Sequence, residues 1–180
     1  MSWRGIRATM VLCGLVLSGA CAREQGPPPS PLPAPRAPAP ARGSALAAAD
    51  YVAARGSIEL FVIRSSELAL ERSSSRRVRD FAAAEIEAHK GTSAQLSLAG
   101  RRLNLLPAAI LRPSEQQLLD ALPGEANFDA AYVRQQRLVH QQALALDKAY
   151  GAGGQSPTLR PVALAAAQVI QRHLAKLAYL

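Results

Sequence analysis

The sequence predicts an all-α fold, an antiparallel four-helix bundle with a short extra helix between its second and third long helices. Apolar residues recur at the spacing of one helix face through four long stretches. Hydrophobic residues are 49% of the chain and aromatics only 4%, so the excess is mostly Ala and Leu, which favour helix over strand. Helix-stopping residues separate the stretches: Ser73 to Ser75, then Pro123-Gly124, then Gly151 to Gly154.

The first helix is expected over about 46–72 and the second over about 76–100, with Ser75 as its N-cap. Ser114-Glu115-Gln116-Gln117 fits a capping box and opens the short helix, which stops at Pro123-Gly124. The third long helix is expected over about 128–150. Ser156 and Pro157 supply a cap and a first-turn proline for the fourth, which continues to about residue 178. Short turns between amphipathic helices imply antiparallel neighbours, in up-down-up-down order.

The bundle is expected to occupy residues 44–180. Residues 1–22 carry Arg4 and Arg7, the apolar run Ala8 to Leu17 and then small residues, the three-part pattern of a secretory signal. That run is too short for a membrane span. Leu17-Ser18-Gly19-Ala20-Cys21 resembles a bacterial lipoprotein signal, in which cleavage leaves Cys21 to carry lipid; Ser18-Gly19-Ala20 also suits ordinary signal peptidase. Residues 23–43 form a Pro/Ala-rich tether. Eight of the thirteen prolines fall between Gly26 and Arg42, a composition that buries no core and spans roughly 50 Å as polyproline. The expected location is therefore the periplasm, with membrane anchoring through lipid on Cys21.

The net charge of +8 raises the question of nucleic acid, so its distribution matters. From Gly43 onward 16 Lys and Arg face 12 Asp and Glu, a net of +4, interspersed along helices with few aromatics to stack bases. That is a solvated helix surface, and no nucleic-acid partner is expected. Cys13 and Cys21 both precede the bundle, which leaves it without thiol chemistry.

Leu60 to Leu70, then Val78-Arg79-Asp80-Phe81-Ala82, His89, Phe128 to Tyr132, His140 and His173-Leu174 together resemble the bacterial DUF4142 family, a domain of unknown function, over about residues 46–180. The resemblance implies a ferritin-like four-helix protein of the cell envelope, of a kind often described as outer-membrane proteins, with no settled activity. Two positions depart from the pattern. Val62 stands where the family commonly has Glu, and Ala88 precedes His89 where an Asp-His pair is usual.

Three histidines occur, His89, His140 and His173, one on each of the last three long helices and each on an inward stripe. Glu85 shares a face with His89 at i,i+4, and Glu59 shares its stripe with Val52, Ile63 and Leu70. At a rise of ~1.5 Å per residue these five residues fall within roughly 10 Å of one another along the axis. They are the candidate metal ligands. A dinuclear carboxylate site needs Glu-x-x-His on two helices, but Arg137 and Ile170 stand three residues before His140 and His173. No nucleophile elbow or phosphate loop is present. Tyr51, Tyr132 and Tyr150 read as packing aromatics. The first reading is thus a non-catalytic envelope bundle that binds an unidentified partner or serves stress tolerance, with no cofactor expected. The second is a metal-binding ferritin-like protein or oxidoreductase using His89, His140 and His173 with Glu59 and Glu85.

Overall fold

The computed structural model describes residues 46–180, so the signal, the whole tether and the first two residues of the expected bundle lie outside the described residues. The described chain is all helical: α1 (Ala48–Arg72), α2 (Arg76–Arg101), α3 (Pro113–Ala121), a 3-10 turn (Leu122–Gly124), α4 (Phe128–Gly153) and α5 (Arg160–Leu177). No described helix is long and apolar enough to cross a membrane.

The local signals explain most boundaries. Ser75 caps α2 by accepting from the Val78 N–H, and Asn127 caps α4 by accepting from Ala130. Gly154 ends α4 by donating to the Tyr150 carbonyl at 2.7 Å, and a Cβ there would lie 2.5 Å from the Tyr150 ring. Two starts differ from expectation. Helix α3 begins at Pro113, with Ser114 already inside it. Helix α5 begins at Arg160, because Pro157 to Leu159 make a turn whose Ser156 carbonyl accepts from Leu159 and Arg160; Pro161 then takes the first-turn position.

Packing fixes the helix directions. At one end Tyr51 and Val52 from the start of α1 meet Leu96 and Ala99 from the end of α2, Tyr150 from the end of α4 and Ala163 from the start of α5. At the other end Ala69 of α1 and Leu177 of α5 meet Val78 and Phe81 of α2 and Tyr132 of α4. Helices α1 and α5 therefore run one way and α2 and α4 the other, which corrects the up-down-up-down order. The link from α2 to α4 is a crossover along the bundle. It leaves α2 through a left-handed Asn104, φ 55°, where the Leu103 and Leu105 N–H groups bond the Gly100 carbonyl. It then lies on α1: Pro107 sits where a side chain on Gly56 would be, and Ser57 accepts from the Arg112 N–H while donating to Glu115. A third apolar cluster, of Ile58, Phe61, Val62, Val139, Ala143 and Ile170, fills the middle.

Candidate metal centre

Along each long helix the polar interior residues fall between members of these clusters, so they sit in a low-dielectric setting where each polar atom needs a partner. The i,i+4 pair Glu85 and His89 looks inward from α2, His140 from α4 and His173 from α5, all buried. Glu85, His89, His140 and His173 each offer one ligand atom, and the four atoms lie within 4.8 Å of one another. The axial estimate from sequence assumed the up-down-up-down order that the structure corrects; its level for His140 survives because that residue stands at the middle of α4, where reversing the helix changes little.

Three imidazole nitrogens converge on one carboxylate. His140 Nε2 is 2.9 Å from Glu85 Oε2, His173 Nδ1 is 2.9 Å from Oε1, and His89 Nε2 is 3.3 Å from Oε2. The far nitrogens decide what these contacts are. His140 Nδ1 lies 2.8 Å from the Gln136 carbonyl, which only accepts, so Nδ1 carries the proton and a neutral ring turns its Nε2 lone pair toward Glu85. His89 Nδ1 lies 2.6 Å from the Glu59 carboxylate, so the same holds for its Nε2. His140 Nε2 and His173 Nδ1 face each other at 3.3 Å. Lone pairs thus meet a carboxylate, and a cation or an added proton is required between them. Both Glu85 oxygens and His89 Nε2 lack a hydrogen-bond partner among the described residues.

Titration follows the same layout. Burial works to raise the Glu85 carboxyl, but its contacts with His140, His173 and His89 outweigh this and hold it well below the usual carboxylate range. Burial works to lower His89, yet Glu59 and Glu85 carry it above an ordinary imidazole. Burial prevails at His140, which is lowered.

Glu59 is the one predicted ligand that stays outside the group of four. It stands behind His89, with its other oxygen 3.0 Å from Arg55 Nη1. Arg55 in turn reaches both oxygens of Asp147 from Nε at 3.1 Å, and Tyr51 donates its hydroxyl to Asp147 at 3.0 Å while stacking on Tyr150. Burial pushes the Asp147 carboxyl up to about 6 against the pull of Arg55, so it is ionised at neutral pH. Arg55 and Asp147 were missed from the sequence, although helical spacing puts each on the inward face of a predicted ligand. Arg55 is four residues before Glu59, and Asp147 is seven residues, about two helical turns, after His140.

A family model described as a domain of unknown function, DUF4142, matches residues 32–180. The chain belongs to this family. Among curated proteins none matches the chain. The fold is similar to that in the crystal structure of a DUF305 fragment from Deinococcus radiodurans, with a TM-score of 0.64 and 15% identity, over 73% of this chain and 92% of that one. That likeness concerns the fold alone. In this DUF4142 protein the two positions flagged as departures hold no charge: Val62 is buried in the middle cluster and Ala88 is half-buried beside His89. The only carboxylate meeting the three imidazoles among the described residues is Glu85.

Proposed function

We propose that this DUF4142 protein holds one divalent transition-metal ion in the middle of a ferritin-like bundle, liganded by Glu85, His89, His140 and His173. The observation that carries the reading is the convergence of three buried imidazole nitrogens on the Glu85 carboxylate, with His89 and His140 turned lone-pair-first by acceptors behind them. Metal-bound histidines are held in this way, by a carboxylate or carbonyl on the far nitrogen. The single long crossover between α2 and α4 supports the ferritin-like description.

Charge and donor type narrow the ion. Within the connected network around the imidazoles, Glu59, Glu85 and Asp147 bring three negative charges and Arg55 one positive charge, an excess of two that a divalent cation balances; the fourth buried carboxylate, Glu115, lies apart against Ser57 and Arg112. Three imidazoles and one carboxylate suit zinc, copper, nickel, cobalt or iron, whereas calcium and magnesium prefer oxygen. Four protein ligands in a buried site match a centre that retains its metal; catalytic centres keep a position open. This favours holding an ion over turning over a substrate, and places the second sequence reading above the first. Elemental analysis of the protein purified from its native compartment is expected to find about one transition-metal ion per chain, and His140→Ala is expected to abolish it. Metal-free wild type alongside an unchanged His140→Ala would refute the reading.

The signal pattern and tether support a place for this centre in the periplasm, tied to a membrane through Cys21, and the family resemblance favours the outer one. One acyl chain anchors weakly and two or more hold, so Cys21→Ser is expected to move the protein from the membrane to the soluble fraction. A processed Cys21→Ser protein that stays membrane-bound would count against the lipid anchor.

A further inference from the structure

Arg55 is the largest fully buried side chain of the described residues, 1% exposed, and it is a permanent cation. Its Nε serves both oxygens of Asp147 and its Nη1 pairs with Glu59 Oε1 by charge, while neither Nη1 nor Nη2 makes a hydrogen bond among the described residues. Burying a guanidinium is costly unless carboxylates compensate it, and the fold supplies two. One of them, Glu59, uses its remaining oxygen to hold His89. The guanidinium is therefore one carboxylate away from the group of four. Around it stand Glu59, Asp147 and the Tyr51 hydroxyl that bonds Asp147, a set of oxygen donors that would hold a cation if Arg55 did not.

The geometry points to Arg55 as the protein's own second cation: it fills a position that a second metal ion would otherwise take, keeps Glu59 as the acceptor for His89, and limits the interior to one metal. This rests on the metal-holding reading above. Because a guanidinium neither dissociates from the chain nor loses its proton near neutral pH, the limit is built into the sequence. A Lys at the same place would preserve the charge without the planar fork.

The test is metal stoichiometry in the full chain, with Mn(II) and Co(II) as probes, equilibrium dialysis followed by elemental analysis, and Co(II) absorption as a reporter of ligand type. Wild type is expected to hold about one ion even in large excess. Arg55→Met, checked for helicity by circular dichroism, is expected to hold about two, with a second Co(II) absorption component from oxygen ligands, and Arg55→Lys is expected to return to about one. One ion in both wild type and a folded Arg55→Met, with an unchanged Co(II) spectrum, overturns the inference and leaves the metal-holding reading intact. No ion in wild type removes both. Two ions in wild type, with Arg55 in place, also overturn the inference, and that count needs no variant to fold.

Discussion

Supplying a borderline divalent metal at about a hundred times its dissociation constant is expected to stabilise the wild-type bundle by about 2.7 kcal/mol, a rise of roughly 10 °C in Tm for a domain of this size. The increment is the binding linkage itself, since an unfolded chain cannot bring α2, α4 and α5 together around Glu85. Each of His89→Ala, His140→Ala and His173→Ala is expected to lose most of it. Without metal the same substitutions are expected to cost only about 1–3 kcal/mol, through a partner left without its bond. The increment also depends on pH. His89 is raised in the folded protein, so its protonation stabilises the metal-free fold fully below about pH 6.5 and stops doing so as pH rises through the raised value. Metal binding needs that proton gone. The rise in Tm should therefore grow with pH and shrink in acid. Thermal melts with chelator and with zinc or cobalt between mildly acidic and mildly basic pH check both parts. An increment equal in wild type and all three variants would show that the metal binds elsewhere.

The second large effect needs no metal. Asp147→Ala is expected to destabilise the fold by about 3–5 kcal/mol, because it leaves Arg55 buried with only Glu59 for company. The Tyr51 hydroxyl loses its acceptor in the same step. Urea unfolding of Asp147→Ala and of Lys148→Ala measures it, the exposed neighbour serving as a control expected to stay within about 0.5 kcal/mol of wild type. A loss below about 1 kcal/mol at Asp147 would show that Arg55 does not depend on this partner.

The helices were legible because their periodicity and caps are local properties. Ser75 needed no knowledge of the rest of the chain, whereas α4 runs through Gly153, three residues past the expected stop. The stripe of Leu159, Ala163, Ala166, Ile170, His173, Leu177 and Leu180 is buried as far as Leu177, and Leu180, beyond the end of α5, is exposed. Helix order was not legible. Whether α4 returns beside α2 or crosses the bundle depends on where residues between Arg101 and Phe128 lie, and the clip of Pro107, Arg112 and Glu115 onto Gly56 and Ser57 is a tertiary event without a sequence period. The site shows the same division. Inward histidines and Glu85 followed from stripe arithmetic, but the difference between Glu85, which meets the imidazoles, and Glu59, which stands behind one, turns on side-chain direction. The missing Glu-x-x-His pairs argued against a dinuclear centre; they carried no information against a mononuclear one, for which one carboxylate and three imidazoles suffice.

Anomalous X-ray scattering from crystals grown with zinc or cobalt, recorded at the absorption edge of the added metal, tests the central claim most directly. The account predicts one strong peak per chain among the four ligand residues, about 2.0–2.2 Å from His89 Nε2, His140 Nε2, His173 Nδ1 and a Glu85 oxygen. A cluster that shows no peak there in metal-saturated crystals, with its imidazoles bonded to Glu85 through protons or water, would contradict it.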